Sequence, residues 1–223
     1  MTRELFVQAA GKFAAGLLLT AFLLFIPAGT LRYWNAWLLI ALLFVPMSLA
    51  GLILMARSPA LLRKRLNANE GEPEQKRVVL LSGLLFAAAF VLAGLNERFG
   101  WFVLPRGIVR AAAAVFLSAY LLYAEVMREN AYLSRTVEVQ EGQRVIDTGL
   151  YGVVRHPMYL ATVLLFLPMP LILGSPLSFA LLLLYLPLIG KRIRNEEEVL
   201  RNALPGYAAY QARVRYRLVP FLW

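Results

Sequence analysis

Apolar runs long enough to cross a bilayer leave this chain few folds. A helical span needs roughly 20 mostly apolar residues. Four stretches reach or approach that length: Gly11–Gly29, Trp34–Ala56, Val78–Leu95 and Ile108–Met127. The last contains Arg110, close enough to its end to snorkel. Hydrophobic residues make up 60% of the chain, against about 45–50% in soluble domains. In hydrocarbon the backbone must satisfy its own polar groups, which selects helices for runs of this length. The first run lacks a small-residue cleavage site, so a retained helix is expected rather than a removed signal peptide.

A fifth apolar region, Met158–Gly190, is too long for one ordinary span. Gly174-Ser175-Pro176 interrupts it near the middle, and that triplet reads as a turn. Each half is about 15 residues, or roughly 22 Å of helix. The region is therefore expected to form a helical hairpin, with Pro168, Pro170 and Pro187 bending its arms. Loop charges point the same way. The N-terminal segment, the loop Arg57–Arg77, the loop Arg128–Pro157 and the tail from Lys191 hold all the basic residues except Arg32, Arg98, Arg106 and Arg110. The positive-inside rule then puts both termini in the cytoplasm. A single span in the fifth region would place the basic tail outside, so charge and turn chemistry agree on the hairpin. The expected fold is an all-α integral membrane protein: four transmembrane helices, a C-terminal helical hairpin and a tail helix. It forms one membrane domain, with helices and loops in 1–148 and the hairpin and tail in 149–223.

Composition excludes several chemistries. With no cysteine and one histidine, thiolate catalysis is excluded and a zinc site is not expected. The net charge of +10 suits cytoplasmic loops against anionic lipid better than nucleic acid. No glycine-rich phosphate loop is present, so any nucleotide-like cofactor must bind within the membrane architecture.

The polar segments are uneven. Arg57–Arg77 carries "NANEGEPEQ" and reads as a flexible, solvated connector. In "RTVEVQEGQRVIDTG", Val137 and Val139 alternate with polar residues and Gly142 suits a turn, which is consistent with a small hairpin or an ordered lid. Next comes "GLYGVVRHPMYL", where Pro157 fits the first turn of a helix. The tail prolongs the second hairpin arm until Pro205-Gly206 breaks it. Tyr207 and Tyr210 then share one face of a short helix, a stripe suited to the membrane interface beside Arg213, Arg215 and Arg217.

Both "RHPMYLA" and "EEEVL" fall at the cytoplasmic ends of the hairpin arms, so they can meet. They bring a guanidinium, an imidazole, a phenol and carboxylates to the lip of a membrane cavity. Ionisable groups there point to function. A structural ion pair between Arg155 and Glu196–Glu198, bracing the arms, accounts for the same residues. His156 can serve as a cofactor contact, an acid–base group or a helix-end fixture. Glu198 is expected to be solvated, because three adjacent helix positions cannot share one face. Tyr151 and Tyr159 read as interface anchors or ligand contacts.

The segment "YGVVRHPMYLA", the hairpin, then "EEEVLRNALPGYAAYQARV" and a final P-x-x-W resemble the isoprenylcysteine carboxyl methyltransferase family. They also resemble the related bacterial phospholipid methyltransferase-like membrane proteins. The likeness covers about residues 149–223; earlier residues match only in span count and charge. It implies an S-adenosyl-L-methionine-dependent methyltransferase in a bacterial-type inner (plasma) membrane, with its site cytoplasmic. Its substrate would be a lipid-like or isoprenylated amphiphile, with carboxylate O-methylation favoured. The cofactor site it implies comprises Tyr151, Arg155, His156, Pro157, Tyr159, Leu160, Glu196 and Glu197, with Arg155 and Glu197 catalytic and no metal. Arg155 would orient the acceptor carboxylate, or hold the methionine carboxylate while Glu196 or Glu197 pairs with its ammonium. An amine acceptor would need Glu197 or His156 as proton acceptor. Ala161 stands where the family has glycine and Leu204 where it has an aromatic, so the pocket is expected to differ in shape. Two other readings fit parts of the pattern: a sterol-reductase-like NADPH enzyme and a non-enzymatic lipid-binding protein.

Overall fold

A computed structural model describes residues 3–67, 72–133, 136 and 139–223. Its elements are α1 (Arg3–Ala28), α2 (Trp34–Arg57), α3 (Pro59–Leu66), α4 (Pro73–Phe99), α5 (Arg106–Glu129), a 3-10 turn (Gly149–Gly152), α6 (Pro157–Phe166), α7 (Met169–Ile172), α8 (Pro176–Leu182), α9 (Tyr185–Ala203) and α10 (Tyr207–Arg213). No strand occurs among the described residues. Among the described residues, five helical stretches are long and apolar enough to cross a membrane: α1, α2, α4, α5 and the α8–α9 stretch Pro176–Ala203. The stretch Pro157–Ile172 is apolar but shorter. This is the expected integral membrane bundle of about six helices.

Local chemistry sets the boundaries. Prolines occupy the first turn of α3, α4, α6 and α8, where a missing N–H costs nothing. Gly100 ends α4 in the left-handed region at φ 61°. In the hairpin turn, the Ser175 hydroxyl accepts from the Ser178 amide at 3.3 Å and caps α8. Pro168 and Pro170 cannot donate to the carbonyls of Leu164 and Phe166, and the first arm breaks after Phe166. Pro187 cannot donate to Leu183, and the second arm breaks at Leu183–Leu184. The hairpin is asymmetric, because its second arm continues through the "EEEVL" segment to Ala203.

Packing puts the turns at one end of the bundle and most polar segments at the other. At the turn end, Tyr33 donates to the Leu173 carbonyl at 2.7 Å and the Asn96 amide reaches the carbonyls of Phe102 and Gly174. There α1 and α4 touch so closely that a Cβ on Gly94 would lie 2.6 Å from the Leu24 carbonyl oxygen and 3.1 Å from the Ala28 nitrogen. Both are backbone atoms, so the helices themselves must separate to admit a methyl group. Gly94→Ala is expected to lower stability by about 1–3 kcal/mol, measured by thermal unfolding in detergent, with ligand affinity at the opposite end unchanged.

Three expectations change. The connector Arg57–Arg77 is not a solvated loop throughout: Pro59–Leu66 is helical, and Leu62 packs with Leu5 and Met55. The "NANEGEPEQ" stretch falls partly outside the described residues. Val137 also lies outside them, and from Val139 onward the described residues form a turn without strands. Gln143 donates to Gln140 at 3.0 Å, with Gly142 at φ 70°. Val139 and Val145 instead pack on Leu204, Tyr207, Tyr210 and Val214. Tyr207 and Tyr210 are therefore buried in this polar-end cap and do not line a membrane interface. Covering them stabilises the cap more than leaving their rings wet would.

Candidate functional site

The tail closes the polar end by running along the segment before α6. The amides of Arg155 and His156 donate to the carbonyls of Tyr216 and Arg217 at 2.9 and 2.8 Å. Arg155 Nη1 returns bonds to the carbonyls of Val214 and Arg215 at 2.7 and 2.8 Å. Its Nε donates to Glu197 Oε1 at 2.7 Å. His156 Nε2 lies 3.3 Å from the same oxygen, and Arg217 Nε donates to Oε2 at 2.8 Å. Glu197 is 2% exposed and Arg155 8%. This buried carboxylate thus ties together both hairpin arms and the tail.

In front of this knot lies a cavity of about 920 Å³, within the size range of small-molecule sites. Its polar wall includes Tyr151, Arg155, His156, Tyr159, Arg192 and Glu196. Its other walls are mostly apolar and come from facing sides of α2, α4 and α5, including Met47, Gly51, Gly83 and Phe86. Tyr159 donates to Glu196 Oε2 and accepts from Arg192 Nε at 3.0 Å. The Tyr151 hydroxyl accepts from Asn130 at 2.9 Å, and the Tyr151 carbonyl accepts from the Tyr210 hydroxyl at 2.8 Å. Tyr151 and Tyr159 are cavity residues here.

The sequence motifs divide across this wall. Tyr151, Arg155, His156, Tyr159 and Glu196 face the cavity, while Pro157, Leu160 and Glu197 are not among its lining. Pro157 starts α6. Glu197 stands behind the wall, on a small polar cleft shared with Arg194, Glu198, Arg201 and Arg217. Glu198 is exposed, as helical spacing requires. The His156 side chain makes no helix-capping bond. Ala161 is fully buried and lies outside the cavity wall, whereas Leu204 lines it.

With both motifs joined on one polar wall above an apolar chamber, the comparison with known proteins has a structural counterpart. Residues 111–202 match the family model for isoprenylcysteine carboxyl methyltransferase (ICMT). This is the family that the motifs resemble, and the match supports a membrane methyltransferase. The ICMT match starts earlier than the motif likeness, taking in most of α5, and ends before Tyr207, Tyr210 and Arg217. No curated protein matches the chain.

Several site residues escape a reading of the sequence. Arg217 and the tail carbonyls that hold Arg155 meet it only through the fold. Arg192 did leave a signal: it stands four residues before Glu196 on one helix face. Tyr207 did not escape: with Tyr210 it matches the tyrosine pair of the family pattern, and it lines the cavity, is 4% exposed, and has a hydroxyl without a hydrogen-bond partner among the described residues. Burial holds its phenol well above the usual range, with the nearby Glu197 and Glu196 charges adding to the effect. Burial likewise pushes the Tyr151 phenol up to about 12, while the Asn130 hydrogen bond and the Arg65 charge act the other way. Both phenols are neutral O–H groups at physiological pH.

Proposed function

We propose that this chain is an S-adenosylmethionine-dependent methyltransferase that esterifies the carboxylate of a lipid-like or prenylated amphiphile. The observation that carries the reading is one cavity with a polar, largely cationic end and an apolar body. Among the described residues, Arg65, Arg144, Arg155 and Arg192 line it, with Glu196 as the carboxylate. That balance favours an anionic acceptor over an amine.

The residues present suit the cofactor. Tyr207 offers a buried donor with no partner among the described residues, and Glu196 offers a carboxylate for an ammonium group. The Arg155–Glu197 knot fixes the wall from which His156 and Tyr159 project, so Arg155 and Glu197 are positioning residues first. S-adenosylmethionine, when bound, supplies an electrophilic methyl group on a sulfonium. Transfer to a carboxylate breaks the S–CH3 bond and forms O–CH3, leaving a neutral thioether and ester with no proton to remove. The chain must therefore align the groups and exclude water rather than provide a strong base. The apolar faces of α2 and α4 receive the tail of the acceptor, and the basic end of the bundle faces the cytoplasm.

The test is incubation of the purified protein with methyl-labelled cofactor and N-acetyl-S-farnesylcysteine. Base-labile label in the lipid fraction is the expected result. Absence of base-labile label from this acceptor, with base-stable label in an amine lipid supplied alongside it, would overturn the carboxylate assignment.

A further inference from the structure

Helix α3 carries a charged residue into the cavity from outside the segment matched by the family model. Leu62 anchors the helix on Leu5 and Met55. One turn later, Arg65 is half-buried and lines the cavity. Its guanidinium donates to the Tyr123 hydroxyl and lies 5.3 Å from the centre of that ring, a cation–π distance. Tyr123 belongs to α5, whose lining residues also include Tyr120, Ala124 and Met127. On the other side, the Arg65 charge acts on Tyr151 of the polar wall. Arg65 thus stands where the apolar body of the cavity meets its polar end. An amphiphile with its tail between α2 and α4 would bring its head group to this border.

We infer that Arg65 is the acceptor-recognition residue: it pairs with the anionic head of the substrate and selects carboxylate amphiphiles over neutral ones. This rests on the methyltransferase reading and adds a specificity determinant to it. Tyr123 holds the guanidinium before the ligand arrives, which lowers the ordering cost of the contact. A planar fork offers a carboxylate two parallel hydrogen bonds.

Equilibrium binding of N-acetyl-S-farnesylcysteine and its carboxamide tests this without turnover, in the presence of S-adenosylhomocysteine. The wild-type protein should prefer the carboxylate by about tenfold or more, the scale of a charge-assisted hydrogen bond. Arg65→Gln should bring the ratio close to one while S-adenosylhomocysteine affinity changes less than about twofold. Arg65→Met, which keeps an apolar stem against Tyr123, serves if the glutamine variant does not fold. A wild-type ratio in whichever of these variants folds and binds S-adenosylhomocysteine overturns the assignment. Failure of the wild-type protein to bind S-adenosylhomocysteine would instead overturn the methyltransferase reading itself.

Discussion

Replacing Glu197 with alanine should cost about 3–5 kcal/mol of stability, the scale for removing one partner from a buried ion pair. Its two oxygens hold Arg155 at 2.7 Å and Arg217 at 2.8 Å, with His156 at 3.3 Å. The Arg155 side chain is 6% exposed, so without the carboxylate a largely buried cation loses its charged partner. The loss should spread beyond the pair. Arg155 also fastens the tail through two carbonyls, and the tail covers the tyrosine cluster of the polar-end cap. Glu198→Ala changes an exposed neighbour on the same helix and should stay within about 0.5 kcal/mol. Thermal unfolding of both variants in detergent makes the comparison. Equal midpoints would contradict the view that Glu197 braces the hairpin. Arg155→Lys should reproduce much of the alanine effect at Glu197, because an ammonium cannot engage a carboxylate and two carbonyls in the same planar geometry.

The second large effect is expected far from any charge. Gly51 on α2 and Gly83 on α4 line the cavity, and a Cβ at either meets nothing within 4 Å. A tryptophan at these positions has room to grow into the chamber and fill the volume reserved for the acceptor tail. Gly83→Trp and Gly51→Trp should lower kcat/KM for a farnesylated acceptor by about 100-fold, or roughly 2.7 kcal/mol of transition-state binding. S-adenosylhomocysteine affinity should change less than about twofold, because the polar wall lies beyond the indole. Gly83→Ala should fall close to wild type, so the series reads occupied volume rather than loss of glycine. Undiminished turnover in both tryptophan variants would show that the tail does not lie between α2 and α4.

How much was legible in advance follows from the range of the interactions. The apolar runs fix the spans because bilayer thickness and backbone hydrogen bonding act on each segment separately. Gly174-Ser175-Pro176 marks the hairpin turn for an equally local reason. The meeting of Arg155 with Glu197 could be anticipated, since a hairpin returns its arms to one end. Helix α3 could not be placed so readily: its charged sequence hides a short amphipathic turn whose stability comes from Leu5 and Met55, over fifty residues away for the first. The tyrosines 207 and 210 show correct helical spacing, but only the fold supplies the partners that bury them. The split of the glutamates is partly local, with Glu198 turned to solvent by helix geometry. The assignment of Glu196 to the cavity and Glu197 to the knot behind it depends on the tail.

As proposed, the polar wall formed by Tyr151, His156, Tyr159, Glu196 and Tyr207 receives a methyl donor. Titration calorimetry of the intact protein in detergent with S-adenosylhomocysteine tests it most directly, with NADPH as the competing ligand. The expected result is saturable binding of S-adenosylhomocysteine, weakened at least tenfold in Glu196→Gln, and no binding of NADPH. Absence of S-adenosylhomocysteine binding at millimolar concentration, or retention of NADPH in its place, would contradict it.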